Sequence, residues 1–379
     1  MEPVIVIISF LLFISYAILI IYYRQSWISI PQFKVDGASL PTTKISIIIP
    51  ARNEQENIGA CLDSINHQTY PAHLFEILVV DDFSTDKTAA IVLNYGQHNI
   101  RLISLKDLVE ATAINSYKKK AIEIAVAQST GELIVTTDAD CIVQPRWLRT
   151  IAAFYEKSGA AFIAMPVVYE YKYNLLEIFQ ALDFMTLQGI TGASVYKKAH
   201  SMCNGANLAY QKKAFLAADG FKGVDNIASG DDMLLMHKIF KIFPAGVFFL
   251  KSCEVIVSTK PMETLKGFFN QRVRWASKAD KYEDKRIFAV LLLVYLFNAW
   301  IILLAIGSGL SSFLYCLLVL LAGKTILELY FLFPVARFFN KQGILWWFPL
   351  AQPFHVVYTV IAGWLGKFGS YRWKERKVI

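Results

Sequence analysis

A chain of 379 residues that is 55% hydrophobic, with a mean hydropathy of +0.41, is too apolar for an ordinary water-soluble enzyme. Its net charge of +8 would suit a nucleic-acid binder, but no recognition helix or stacking sheet accompanies it. The basic residues gather beside apolar segments, at Lys278, Lys281, Lys285 and Arg286 and at Lys367, Arg372, Lys374, Arg376 and Lys377, where anionic lipid headgroups account for them and nucleic acid does not.

In chain order, the first element is an uncharged apolar run from Pro3 to Tyr23, long enough to cross a bilayer core of about 30 Å. Glu2 precedes it and Arg24, Lys34 and Lys44 follow, the reverse of a cleaved signal peptide. Residues 1–23 are read as a retained anchor, which leaves the following chain in the cytoplasm by the positive-inside rule. The five cysteines, Cys61, Cys141, Cys203, Cys253 and Cys316, form no C-x-x-C pair. That spacing excludes a zinc knuckle and suits a reducing compartment, with each cysteine a small buried apolar residue.

Residues 24–261 read as one α/β domain. Apolar runs at Ile45 to Ile49, Glu76 to Val80, Ile100 to Ser104 and Leu133 to Thr137 predict strands. Helical patterns at Asn57 to His67, Thr88 to Tyr95 and Lys118 to Gln128 separate them. Such alternation implies a parallel, doubly wound sheet, whose ligands bind beyond the carboxyl ends of the strands. Residues 172–190 and 262–285 break the rhythm with aromatic-rich helical patterns, including Leu265, Phe268, Phe269 and Arg272, and are read as amphipathic helices at a bilayer surface. The remaining 286–379 is a membrane region. Ile287 to Gly307 and Leu310 to Phe333 are two spans, the second with Lys324 and Glu328 spaced to pair. Ile344 to Leu365, interrupted by Pro349 and Pro353, is read as re-entrant or interfacial.

Acidic and aromatic motifs fall at the ends of these elements. Pro50-Ala51-Arg52-Asn53-Glu54 closes the first strand, where backbone amides and the Glu54 carboxylate could face a nucleobase and ribose, or simply form a turn and cap. Asp81-Asp82 ends the second strand, and Asp82 suits the imide N–H of a uracil, while Ser84, Thr85 and Asp86 cap the next helix. Asp138-Ala139-Asp140 places two hard carboxylates where a Mg²⁺ or Mn²⁺ ion bound to a diphosphate would sit. Lys118 or Lys119 adds a cation near those phosphates, or belongs to a solvated basic run. Gly205 and Asn207 lie in a small polar segment that lines a sugar and acceptor pocket or makes a turn. Ser229-Gly230-Asp231-Asp232 opens a helix, with one carboxylate to cap it and Asp232 to remove a proton from an acceptor hydroxyl. Gln271, Arg274 and Trp275 share a helical face, where the arginine fork fits a pyrophosphate and the indole a sugar ring.

Taken in order, these motifs resemble the family 2 glycosyltransferases of GT-A fold, in particular the membrane branch of cellulose, chitin, hyaluronan and poly-N-acetylglucosamine synthases. The likeness covers about residues 44 to 280. It implies a Rossmann-like, mostly parallel sheet and a nucleotide-sugar donor, UDP-linked in most members. It also implies inversion at the anomeric carbon and a divalent metal. Asp81 and Asp82 would contact the nucleotide, Asp138 and Asp140 the diphosphate and metal, and Gln271, Arg274 and Trp275 the diphosphate and acceptor. The family's Glu-Asp pair is matched by Asp231-Asp232, so Asp231 replaces the usual Glu with a shorter reach. The membrane segments are too few for the polymer channel of a processive synthase. A lipid or short glycan acceptor fits them better, unless a partner subunit or second copy completes a channel.

Overall fold

The computed structural model describes residues 2–35, 41–96, 99–110, 116–225, 227, 230–278, 284–309, 311–368, 371–373 and 376–378. Ser229, Lys281, Leu310 and Lys374 lie outside them. The chain forms two compact units, an α/β unit of residues 31–168 and 201–260 and a helical unit of 1–30, 169–200 and 261–379. The expected unbroken segment 24–261 is therefore interrupted. Its first residues continue helix α1 (Glu2–Ser29), and residues 169–200 join the helical unit.

In the α/β unit, β1 (Ile45–Ala51), β2 (Phe75–Asp81), β3 (Ile100–Ser104) and β4 (Leu133–Thr136) are parallel neighbours in the order β3-β2-β1-β4. Helices α2 (Ile58–Asn66), α3 (Thr88–Asn94) and α4 (Tyr117–Gln128) connect them. Ile47, Ile48 and Ile49 are fully buried, as β-branched residues of a strand covered on both faces should be, each contributing about 1.5–3 kcal/mol. After α5 (Trp147–Ser158), β5 (Phe162–Ala164) and the short β6 (Val167–Tyr169), the chain leaves for α6 (Leu175–Tyr196) and returns as β7 (Leu208–Gln211). Strand β7 inserts between β4 and β5 antiparallel to both, so the sheet is mostly parallel, as the resemblance implies, with one antiparallel strand. Then come α7 (Lys212–Ala217), α8 (Asp231–Ile242), β8 (Val247–Phe249), which adds parallel to β5, and β9 (Val257–Thr259). Register pairs Ala51 with Asp81, so the first two loops leave the sheet side by side.

The helical unit adds α9 (Leu265–Ala276), α10 (Lys285–Ile306), α11 (Ser311–Phe338) and α12 (Phe348–Phe368). Thr264 caps α9 by accepting the Gly267 N–H, and Asp284 caps α10 by accepting that of Arg286. Four segments, Pro3–Ser29, Lys285–Ile306, Phe313–Phe338 and Gln342–Phe368, are long and apolar enough to cross a membrane. The shortest has 22 residues, about 33 Å of helix. Phe10, Ile18, Leu303, Val319 and Ile326 are exposed on them.

Two expectations change here. The break anticipated at Pro349 and Pro353 is absent, and α12 is continuous. Both prolines fall near its start, after a 3₁₀ turn at Gln342–Trp347, where few backbone donors are lost. Helix α6, read as a surface helix, is buried around most of its circumference and packs against α1, α11 and α12. Its polar residues find internal partners, as when Gln180 exchanges hydrogen bonds with the Met262 carbonyl and N–H at 2.8 and 2.9 Å. The paired charges expected from spacing are present, with Lys324 Nζ 2.8 Å from Glu328 Oε1 inside the helical unit. Four cysteines are buried, and Cys253 is exposed.

One polar knot at the edge of the sheet gives a test. The Glu76 carboxylate accepts from Ser46 Oγ at 2.6 Å and from the Thr130 N–H and hydroxyl at 2.6 and 2.8 Å. Burial raises its pKa, but the bonds from Ser46 and Thr130 outweigh burial and hold it below the ordinary glutamate value of 4.5. A carboxylate with a depressed folded pKa stabilises above the unfolded value and loses that contribution as pH falls through the folded one. Glu76→Gln should lower the apparent melting midpoint at pH 7 by about 2–4 °C, as for about 1 kcal/mol of hydrogen bonding, and flatten the loss of stability below pH 4.5. Thermal scans by circular dichroism across pH 3.5–7, roughly the range in which a glutamate titrates, would show both effects or neither.

Candidate active site

The loops after β1 and β2 lock together by crossed hydrogen bonds. The amides of Asn53, Glu54 and Gln55 donate to Ser84 Oγ, Thr88 Oγ1 and Asp86 Oδ2 at 3.0, 2.8 and 3.0 Å. In return Asn53 Oδ1 accepts the Thr85 N–H at 2.9 Å. These amides are thus spent on the neighbouring loop and do not face a nucleobase, contrary to the sequence reading. The Glu54 carboxylate takes the Asn57 side-chain amide at 2.9 Å, and the Ala51 carbonyl the Asp82 N–H at 2.8 Å. Pro50, half-buried, pairs with Val80 one residue before the shared strand register ends. Asp86 alone serves the start of α3, accepting the Thr88 N–H at 2.9 Å. Asn53 and Phe83 both adopt left-handed backbone, at φ 51° and 52°. Phenylalanine seldom takes that conformation, so the interlock holds strain of about 1–2 kcal/mol where the loops meet.

The two aspartates here differ. Asp82 lies 4.0 Å from Arg52 Nη1, which also donates to the Asp82 and Phe83 carbonyls at 2.8 and 3.2 Å. Asp81 Oδ2 accepts the Ser84 N–H at 3.3 Å, while its Oδ1 is buried with no hydrogen-bond partner among the described residues. A buried, unsatisfied carboxylate oxygen is costly unless a ligand completes it. The open acceptor belongs to Asp81, whereas Asp82 was the residue favoured on sequence.

The remaining acidic motifs converge on Lys118. Its Nζ donates to Asp138 Oδ1 at 2.7 Å and lies 3.4 Å from Asp231 Oδ2. Burial opposes its charge, but Asp138 and then Asp231 raise its pKa above the ordinary lysine value, so it stays an ammonium. Lys119, the alternative, instead donates to the Val224 and Ile227 carbonyls at 2.6 Å each and anchors the segment before α8. Gly230 takes φ 79° and turns the chain straight into α8. Asp231 and Asp232 therefore open the helix, where its free amides favour negative charge and soften their repulsion. Asp232 Oδ2 accepts the Gly205 N–H at 3.0 Å, and its Oδ1 accepts the Met233 N–H at 2.8 Å. A side chain at position 205 would begin 3.2 Å from Lys118 Nζ and 3.3 Å from Asp231 Oδ2, so glycine lets the loop approach the charges.

Asn207 has a different part from the one expected. It is wholly buried, donates to the Pro166 and Val255 carbonyls at 2.8 and 2.7 Å, and accepts from Trp147 Nε1 at 3.0 Å. With both donors used and no surface, it pins the loop and touches no ligand. Asp138 and Asp140 offer hard oxygens at the end of β4, and the Cys141 thiol lies 3.6 Å from Asp140 Oδ1. No group of three His, Cys, Asp or Glu able to hold a metal forms among the described residues. Two carboxylates still fit Mg²⁺ or Mn²⁺, because such ions keep waters and take substrate phosphates as the remaining ligands.

Gln271, Arg274 and Trp275 belong to the helical unit, on α9. Gln271 Oε1 accepts from the Tyr169 hydroxyl at 3.3 Å, and the Trp275 ring faces Arg272, whose Cζ is 4.2 Å from the ring centre. Arg272 ion-pairs with Asp183 at 2.7 Å. Sequence reasoning missed that pair, because Arg272 looked like one member of an apolar stripe and nothing near it in sequence marks Asp183 as its partner.

The comparisons agree with this geometry. The glycosyl transferase family 2 model matches residues 46–217, and the glycosyl transferase family group 2 model matches residues 133–364. A mannosyltransferase from Pyrobaculum calidifontis, solved with GDP-Man and Mn²⁺, has the same fold, with a TM-score of 0.59 at 20% identity over 94% of this chain and 99% of that one. Glycosyltransferase AglE of Haloferax volcanii is 32% identical over 34% of this chain and 40% of its own length. Probable glycosyltransferase YdaM of Bacillus subtilis is 25% identical over 65% and 57%. Poly-beta-1,6-N-acetyl-D-glucosamine synthase of Staphylococcus epidermidis is 24% identical over 61% and 53%. The chain thus spans about half the length of these curated relatives. A GT-A sheet, acidic motifs at its strand ends and a family match over more than half the sequence make this chain a member of the family 2 glycosyltransferases.

Proposed function

We propose that the chain is an inverting, metal-dependent enzyme of the membrane. It moves a hexose or N-acetylhexosamine from a UDP-sugar to a hydroxyl of a lipid-linked or membrane-associated glycan. The observation that carries this reading is Lys118, which ties the D-x-D carboxylate Asp138 to the acid pair at Asp231 in one site. Donor phosphates and acceptor hydroxyl would both be held there.

Asp81 Oδ1 accepts the imide N–H of the base, which completes an otherwise unsatisfied oxygen. Asp138 and Asp140 would hold Mg²⁺ or Mn²⁺, which when bound neutralises charge on the departing diphosphate. Lys118 supplies a fixed positive charge beside those phosphates. Asp232 takes the acceptor proton, its orientation set by the Gly205 and Met233 amides. Asp231, held by Lys118, keeps the pair apart in function. Gln271, Arg274 and Trp275 have the diphosphate and acceptor roles that the Q-x-x-R-W resemblance implies. Helices α1, α10 and α11 are proposed to cross the membrane and α12 to be re-entrant or interfacial, which keeps the α/β unit and the basic tail on the cytoplasmic side against anionic headgroups.

Membranes containing the chain, supplied with labelled UDP-GlcNAc, UDP-glucose or GDP-mannose and Mn²⁺, should place label in the lipid-extractable fraction from a UDP-sugar. Label in high-molecular-weight material would make it a processive synthase, and label from GDP-mannose alone would overturn the donor. Asp232→Asn should keep UDP affinity within about twofold yet lose transfer by about 10²–10⁴-fold, as for removal of a general base. Measurable wild-type turnover in that variant would remove Asp232 from the role. Asp138→Ala should reduce UDP affinity with Mn²⁺ to the level seen with chelator. An affinity that still responds to Mn²⁺ in the variant would place the metal elsewhere.

A further inference from the structure

We propose that Asp183 is a positioning residue for the Q-x-x-R-W segment, fixing Trp275 through Arg272. The inference rests on the acceptor role given above to Trp275, and it adds a residue that lies outside every motif.

The chain of contacts is short. Arg272 Nη2 lies 2.7 Å from Asp183 Oδ2, and both side chains are only 4% exposed. The guanidinium is flanked by two rings of its own helix, with Cζ 4.2 Å from the centre of Trp275 and 5.1 Å from that of Phe268. The contact is one of charge: none of the three guanidinium nitrogens of Arg272, nor Asp183 Oδ2, has a hydrogen-bond partner of good geometry among the described residues. A planar cation with one carboxylate and two ring faces sits where the carboxylate puts it. Trp275 in turn rests on that cation.

Asp183 is itself held. Its Oδ1 accepts the Tyr358 hydroxyl and lies 3.8 Å from His355 Nε2, so α12 fixes the carboxylate that fixes α9. The neighbouring residue on α6 reinforces the arrangement. Phe184 lies 6.2 Å from Trp275, ring centre to ring centre, and stacks on Tyr169 at 4.2 Å, whose hydroxyl donates to Gln271. Two consecutive residues of α6 therefore set the side chains at both ends of the motif.

Asp183→Asn leaves a buried guanidinium without its counter-charge, so a second variant separates positioning from loss of stability. The double variant Asp183→Leu, Arg272→Met replaces the pair by apolar side chains of similar bulk, a change that buried ion pairs often tolerate. In detergent micelles, both variants should retain helical circular dichroism and bind UDP within about twofold of wild type. The emission assigned to Trp275, by difference from Trp275→Phe in each background, should shift to the red. Transfer from UDP-GlcNAc into a whole-lipid extract of the expression host should need about tenfold more lipid for half-maximal rate, as expected when one aromatic–cation contact of the acceptor site is lost. Asp183→Glu should recover part of both readouts. A folded double variant with wild-type Trp275 emission and wild-type lipid dependence would overturn the proposal, as would a shifted emission with unchanged lipid dependence. If the wild-type chain transfers no sugar from any donor, the functional reading fails separately. The emission of Trp275 then still decides whether Asp183 positions it.

Discussion

The α/β unit is organised around one ammonium group between carboxylates. Asp138 comes from the end of a central strand, Asp231 from the start of a helix more than ninety residues later, and Lys118 from the helix that precedes the strand. Unscreened, two carboxylates about 4 Å apart repel by a few kcal/mol even at an effective dielectric constant of about 20. Lys118 removes that penalty and leaves a compact, acidic, partly open site. For it to do so, Asp138 at the end of β4 must meet Lys118 of α4, and the loop at Gly205 must approach the start of α8. The close approach at Gly205 and the left-handed turn at Gly230 both serve that requirement.

The helical unit follows different rules. It holds two buried ion pairs, Lys324 with Glu328 and Arg272 with Asp183, joined by contacts of His355 and Gln352. Charges buried among apolar helices are expensive unless paired, and in these two pairs the opposite charges lie 2.7 and 2.8 Å apart. Register and rotation of the helices are thereby specified more sharply than apolar packing alone would allow.

Strands β2 and β4 were legible because each is an apolar, β-branched run that leads into carboxylates, and β1 because its isoleucine run stops at Pro50. Lys324 and Glu328 were legible because they are four residues apart on one helix. Asp183 and Arg272 were not, since local spacing carries no information about a partner on another helix. Helix α6 was read as amphipathic because its apolar repeat looks the same whether the opposite face meets water or other protein. Asn207 lies in a segment of small polar residues and so resembled a ligand, when its three hydrogen bonds are all internal. Pro349 and Pro353 suggested a break, but only their position in the first turns decides whether a helix continues through them.

The route of the chain through its two units has a consequence for how the protein is made. Strand β7, which closes the sheet between β4 and β5, is synthesised after α6, and α6 belongs among the apolar helices. On a ribosome, β1 to β5 emerge first, with the edges of β4 and β5 that β7 will pair left open until α6 has been made and β7 follows it. Only then is the strand available that seals them. Completion of the sheet is thus delayed by the synthesis of α6, and a chain that stops before β7 leaves an unpaired sheet edge open to pairing with other chains.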